Sequence, residues 1–245
     1  RSQGEGLRDD EVAADSAVIR VVTAIIARCR RAAHIASRRR NADDIAAALD
    51  DDLTNGKRYE TGHTYAIGID TAMGEDEMVF TVLDTTNDDK IECVRQVSAK
   101  GNSKSPQMHL QDFLDLLESY KKGYNVKVIL ETWNGESARF YLDLPPDVQS
   151  ITKCYGSWQP IGVKQKATKA KAVTKPDILI ALRKLLANKK LRIPNEPTLK
   201  KQLSIYREND KDLPTDRVIS LALACWMATD GKPKTTKIEF QSQAW

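Results

Sequence analysis

The sequence predicts an α/β fold, a mixed five-stranded sheet flanked by helices, with a helical appendage at its N-terminus. Three observations carry this expectation. Tyr65, Ile67 and Ile69 alternate with the small residues Ala66 and Gly68 and stop at Asp70; Met78, Phe80 and Val82 repeat the period of two after a polar turn holding Gly74, the pattern of a β-hairpin. Val126 to Leu130 is a short apolar run of the kind found in a central strand buried on both faces, and an amphipathic helix precedes it. Residues 1–60 are rich in Ala, Arg and Asp and carry almost no strand signal beyond Val18 to Val22.

Taken in order, the chain starts with two expected helices. The first runs from about Asp9 to Ser37, with Val18, Val21, Val22, Ile25, Ile26 and Cys29 along one face; the second runs from about Ala42 to Leu53 and is ended by Asn55-Gly56. The basic run Arg38 to Arg40 reads as a solvated helix end, and residues 1–60 as a linker or docking segment. Residues 61–230 form the main domain and 231–245 a polar tail. Within the main domain, Ile91 to Ser98 supplies a third strand. Pro106 to Tyr120 supplies a helix with Met108, Phe113, Leu114, Leu116 and Leu117 on its apolar side, ended by Gly123. The strand at Val126 is the fourth and terminates in a second acid, Glu131; a helix from Glu136 to Leu142 is stopped by Pro145-Pro146, and Val148 to Cys154 is the fifth strand. Thr174 and Pro176 open a helix bearing Ile178, Leu179, Leu182, Leu185 and Leu186. A short extended piece follows at Leu191 to Pro194, then a helix from Thr198 to Tyr206. The last is an apolar helix that Thr215 or Asp216 opens and that ends near Trp226.

Composition limits what the chain can do. A length of 245 residues with 41% hydrophobic content is enough to bury a large core, which excludes disorder throughout. Cys29, Cys93, Cys154 and Cys225 are scattered without a CxxC pair or histidines at zinc-ligand spacing, so they read as reduced core thiols of a cytosolic protein. No run approaches the ~18 apolar residues of a membrane span. No signal peptide precedes the domain, and the start at Arg1 suggests a piece of a longer protein. The net charge of +4 conceals a separation, because residues 61–163 carry −6 and residues 164–202 carry +10. An acidic half beside a basic half suits a metal-dependent enzyme acting on a polyanion. The segment Lys164 to Lys175 has five lysines and no acid, and Lys164, Lys166, Lys169, Lys171 and Lys175 are the candidates for following a phosphate backbone. As a bland alternative, the same segment is an exposed loop.

Asp70 and Glu131 close two strands, and Asp216 lies in the first turn of a helix. Each has an ordinary explanation by itself, as a turn acid or a helix cap. Together they can converge into a cluster whose mutual repulsion raises carboxyl pKa values unless divalent cations neutralise it. Hard oxygen ligands without His or Cys select Mg²⁺ or Mn²⁺ over zinc. Two such ions ~3.5–4 Å apart can activate a water and stabilise the leaving oxygen of a phosphodiester.

Ile67-Gly-Ile-Asp70 followed by Gly74-Glu-Asp76, Ile129-Leu-Glu131 followed by Asn134-Gly135, and the run from Lys175 to Trp226 with Leu191-Arg-Ile-Pro194, Leu203 and Asp216 in order resemble the nuclease domain of the tailed-bacteriophage terminase large subunit. The resemblance covers about residues 60–230 and implies a ribonuclease H-like fold. It also implies a metal-dependent endonuclease that cuts concatemeric viral DNA during genome packaging. The metal ligands it implies are Asp70, Glu131 and Asp216, holding two Mg²⁺ or Mn²⁺ ions. At Thr215 the chain departs from the family, which often has a second aspartate there; Asp76 or Asp212 are the residues that might compensate. The implied partners are double-stranded DNA, a terminase small subunit, a portal protein and an ATPase domain. The implied place of action is the cytoplasm of the infected bacterial host, and no membrane is involved. The chain has no G-x-x-x-x-G-K-[ST] loop, so only the cutting half is expected in it. The same fold order also serves Holliday-junction resolvases and non-catalytic DNA-binding modules.

Overall fold

In the computed structural model, residues 41–57, 59–72, 75–121, 125–133, 135–156, 173–206 and 214–229 are described. The chain divides into two compact units, residues 1–43 and 44–245. Residues 41–48 are helical (α1), and everything below belongs to the second unit. Its strands are β1 (Leu49–Asp50), β2 (Thr64–Asp70), β3 (Glu77–Asp84), β4 (Ile91–Lys100), β5 (Asn125–Glu131), β6 (Thr152–Tyr155) and β7 (Leu191–Pro194). The helices are α2 (Pro106–Lys121), α3 (Gly135–Leu142), α4 (Pro146–Ile151), α5 (Lys175–Ala187), α6 (Pro197–Ile205) and α7 (Asp216–Ala228).

One mixed sheet runs in the order β1-β7-β4-β3-β2-β5-β6. The meander β2-β3-β4 is antiparallel, while β5 lies parallel to β2, β6 to β5, β7 to β4 and β1 to β7. The sheet separates two apolar layers, and the period of two in each strand decides which residue enters which. Tyr65, Ile67, Ile69, Phe80, Val82, Val128 and Leu130 pack against α2, α3 and α4 through Phe113, Leu117, Phe140 and Val148. Ala66, Leu83, Cys93, Ile129 and Tyr155 face the other way, onto α5, α6 and α7. Most of α7 is buried, as expected of a helix whose sequence is apolar nearly all round.

Gly68 is what lets α7 settle onto β2. A Cβ there would lie 2.2 Å from the carbonyl oxygen of Ser220 and 2.6 Å from the amide of Ala224, so the helix backbone rests directly on the strand. The Ser220 hydroxyl then donates to the Gly68 carbonyl at 2.9 Å and lies 2.8 Å from the Thr81 hydroxyl, which also accepts from the Gln96 amide at 2.9 Å. These buried hydrogen bonds fix the position of the helix along the strand, although the Gln96 side-chain oxygen finds no partner among the described residues.

The structure corrects several sequence expectations. Among the described residues the sheet has seven strands rather than five. Helix α1 stops at Ala48 instead of running to Leu53, and the next two residues pair with Ile193 and Pro194 as an edge strand, with Asp50 held by the Arg192 guanidinium. Gly56 and Lys57 donate from their amides to the Val94 carbonyl at 2.9 and 3.0 Å, which ties this stretch to β4 within the second unit. The expected strand from Val148 to Cys154 is helix α4 followed by β6. Pro146 occupies the first turn of that helix, where its missing N–H and fixed φ favour a start as much as they stop the helix before it. Thr174 opens α5 as expected: its amide and hydroxyl both donate to the Asp177 carboxylate, at 2.8 and 2.7 Å. The first helix, Arg38 to Arg40, Gly74, Gly123, Asn134, Cys29 and the tail 231–245 lie outside the described residues. Cys93 and Cys225 are buried free thiols and Cys154 a half-buried one; burial pushes Cys93 up to about 12 and Cys154 up to about 11. No helix among the described residues is long and apolar enough to cross a membrane.

Candidate functional site

Strand register places two acids side by side. Within the parallel pair β2–β5, Ile69 lies opposite Leu130, so the strands end together at Asp70 and Glu131. Ile69 and Leu130 point into the α2 layer, and by alternation Asp70 and Glu131 point to the α7 side. Asp70 is only 6% exposed. Burial is the main reason its carboxyl is held well above the usual range. The negative charge of Glu131, a hydrogen bond donated by the protonated Asp70 carboxyl to Glu131, and the charge of Asp216 add to it. The Lys175 ammonium acts in the opposite sense.

Asp216 enters from the far end of the chain as the first residue of α7. Its side chain does not cap that helix: one carboxylate oxygen accepts the backbone N–H of Glu77 at 3.0 Å. Burial raises its pKa, the Glu77 amide lowers it, and Asp76, Glu77 and Glu131 raise it again. Arg217 fixes this geometry. Its guanidinium donates to Glu77 at 2.9 Å, to Glu196 at 3.1 Å and to the Ser98 hydroxyl at 2.7 Å, while its amide donates to the Gln202 side chain at 3.0 Å and its carbonyl accepts from Gln96 at 3.2 Å. Glu77 thus holds Asp216 by its backbone and Arg217 by its side chain, and α7 is clamped to β3, β4 and α6 at the turn that carries the acid. Glu196 has a second task, since it also caps α6 by accepting the Leu199 amide at 2.7 Å.

The structure therefore brings Asp70 and Glu131 into contact and sets Asp216 within electrostatic reach of both. Asp76 is exposed in the turn before β3 and bears on Asp216. Lys175, expected on a phosphate path, is the first residue of α5 and bears on Asp70. Asp212, Lys164, Lys166, Lys169 and Lys171 lie outside the described residues. Among the described residues no group of three or more His, Cys, Asp or Glu is arranged to hold an ion as it stands. The donor chemistry nonetheless fits a divalent cation. Asp70 and Glu131 offer hard oxygens; burial first and the charge of Glu131 second raise the Asp70 carboxyl, and a bound cation would relieve the repulsion between the two acids. Thr215, where a further acid would complete a ligand set, is buried and contributes no charge.

Sequence reasoning did not anticipate Glu77, Arg217, Glu196 or Tyr155. The signal for Arg217 was its place directly after Asp216, in a helix otherwise apolar. Tyr155 lies opposite Glu131 across β5–β6, is 2% exposed, and has its phenol pushed upward by burial and by the charge of Glu131. Beyond the acid, the Thr132 amide and hydroxyl both donate to the Tyr155 carbonyl, at 2.6 and 3.1 Å. Gly156, at φ +138°, passes so close that a Cβ would sit 2.7 Å from the Thr132 carbonyl.

No family model matches the chain, and no curated protein matches it. Solved structures do. The large terminase nuclease from thermophilic phage G20c is similar in its zinc-bound form with a TM-score of 0.52 and 22% identity, covering 75% of this chain and 96% of that one. Its magnesium-bound form gives 0.52 and 21% over 76% and 95%, and its cobalt-bound form 0.53 and 20% over 76% and 95%. The chain has the α/β fold of the large terminase nucleases, a mixed sheet flanked by helices.

Proposed function

We propose, from that shared fold, that the chain is a metal-dependent DNA endonuclease that cuts concatemeric viral DNA during genome packaging. The observation that carries the reading is the meeting of Asp70 and Glu131 at the ends of adjacent parallel strands, facing the first turn of α7 where Asp216 is clamped. Asp70, Glu131 and Asp216 would hold two Mg²⁺ or Mn²⁺ ions. The G20c nuclease has been solved with zinc, magnesium and cobalt bound, so a site of this fold accepts divalent cations of that size. Bound there, the cations supply charge that activates a water and stabilises the departing oxygen of the phosphodiester.

The chain's own residues supply position. The strand ends fix Asp70 and Glu131 on a rigid platform, and the Arg217 clamp keeps Asp216 from drifting with the α7 terminus. Lys175 adds a cation beside Asp70, where a phosphate oxygen would arrive. Lys164, Lys166, Lys169 and Lys171 extend the positive charge along the DNA backbone. An ATPase domain, a terminase small subunit and a portal protein complete the machine on this reading, in the cytoplasm of an infected bacterium.

The test is supercoiled-plasmid cleavage in Mg²⁺, Mn²⁺ or EDTA, without ATP, by the wild type and by D70N, E131Q and D216N. The wild type should nick and linearise plasmid with either metal and not in EDTA, and the variants should stay folded and inactive. DNA binding without cleavage in either metal, or near-wild-type cutting by two variants, would sink the assignment. Preference for a four-way junction would redirect it to a resolvase.

A further inference from the structure

Trp133 stands two residues beyond Glu131 and is 52% exposed, one of few large apolar side chains so placed among the described residues. It is not a loose surface ring. Thr132 before it is fully buried and bound twice to the Tyr155 carbonyl, and a Cβ at Gly156 would lie 3.0 Å from the Trp133 amide, so backbone packs on backbone at this point. The indole and the Tyr155 ring pack nearly perpendicular, at a centroid distance of 5.7 Å and an angle of 87°. Tyr155 in turn is immobilised in the core and lies opposite Glu131. The sheet end thus holds a planar aromatic in a fixed orientation, with half its surface in water, at the margin of the acid pair.

Exposing an indole forfeits the free energy of burying it. The rigid mounting suits a stacking platform. Every nucleobase has a face that stacks on an aromatic ring, but a paired duplex hides those faces between neighbouring base pairs. We propose that Trp133 stacks on an unpaired nucleobase beside the phosphate to be cut, so that the preferred substrate is DNA locally melted or frayed at the cleavage point. This rests on the nuclease reading above and narrows its substrate.

Two 5′-labelled duplexes of equal length serve as probes, one fully paired and one with three unpaired bases at its centre, and binding is followed by fluorescence anisotropy in EDTA to prevent turnover. Wild type should bind the unpaired probe more tightly. W133A should weaken binding of that probe by about 5- to 150-fold, the loss expected for one stacked base, and leave the paired probe within about twofold. W133F keeps a stacking face and should recover most of the loss, and neither variant should shift the melting temperature by more than a few degrees. Equal weakening on both probes, no weakening on either, or no rescue by phenylalanine overturns the inference. Mg²⁺-dependent plasmid cleavage by the wild type is run alongside. If it succeeds while W133A discriminates as the wild type does, the platform alone is refuted; if the wild type neither binds nor cuts, the nuclease reading falls and takes this inference with it.

Discussion

Adding a single methyl group at Gly68 should displace α7 and with it the third acid. The contact that the new Cβ would make with the Ser220 carbonyl is 2.2 Å, against about 3.4 Å for ordinary contact, so strand and helix must separate by about 1.2 Å. Both obstacles are helix backbone, the Ser220 carbonyl and the Ala224 amide, so no side-chain rotation relieves them. Overpacking of this kind costs ~1–3 kcal/mol. Gly→Ala ordinarily stabilises by ~0.4–1 kcal/mol through the unfolded chain, which offsets only part of that. The Ser220 hydroxyl bond to the Gly68 carbonyl is stretched as well, so G68A should lose ~1–3 kcal/mol net. In a domain of this size that lowers Tm by roughly 2–12 °C. Because α7 begins with Asp216, the same shift moves a carboxylate by about an ångström, enough to cost ~100-fold in rate where geometry matters. Thermal melts followed by circular dichroism and plasmid cleavage, assayed at a temperature where both proteins are folded, read the two effects. A variant that melts within a degree of wild type and cuts at its rate would show that the strand and helix do not bear on each other as described.

Two further perturbations follow from the site. Asp70 has a folded pKa above its unfolded value, so its contribution to stability is fully present below the unfolded value of 3.8 and is lost as pH rises through the raised folded value. In EDTA, D70N should therefore flatten the decline of Tm with rising pH, and Mg²⁺ should raise the wild-type Tm at neutral pH with little effect on D70N; identical profiles would remove Asp70 from the acid cluster. R217A leaves Glu77 and Glu196 facing each other across a half-buried gap and frees the first turn of α7, so it should cost ~2–4 kcal/mol in chemical denaturation and depress cleavage, with R217K recovering only part because it cannot reach Glu77, Glu196 and Ser98 at once. Wild-type stability for R217A would show that the clamp is ornamental.

The acids were legible in sequence because each ends a pattern. Asp70 and Glu131 stop runs of strand residues, and Asp216 marks the point where a polar stretch turns apolar. Alternation along β2 and β5 is also what sends both strand-end acids to one side of the sheet. The two-residue strand at Leu49–Asp50 could not be read, since it has no period of its own and exists because Ile193, Pro194 and the Arg192 guanidinium receive it from far along the chain. Val148 and Ile151 fit a helical spacing and a strand equally well, and Pro146 decided between them. The Arg217 clamp was hidden for a different reason. Its partners Ser98 and Glu77 come from another hairpin, Glu196 from another helix, and only the tertiary structure brings a cation and these acceptors together.

Gly68 and the α7 that rests on it also bear on timing during synthesis. While α7 is still inside the ribosome, β2, β3, β4 and β5 have already emerged with Asp70 and Glu131, yet the sheet face bearing Ala66, Leu83, Cys93 and Ile129 still lacks the helix whose backbone rests on β2. The last described helix is at once the lid of that apolar layer and the bearer of the third acid. A nascent chain is for that reason sticky before it is competent, and a chaperone that shields the bare face would be acting on a protein that still lacks Asp216. Premature termination anywhere before Asp216 removes in one step the cover of that apolar face and the third acid, so a truncated chain is aggregation-prone and lacks part of the acid cluster.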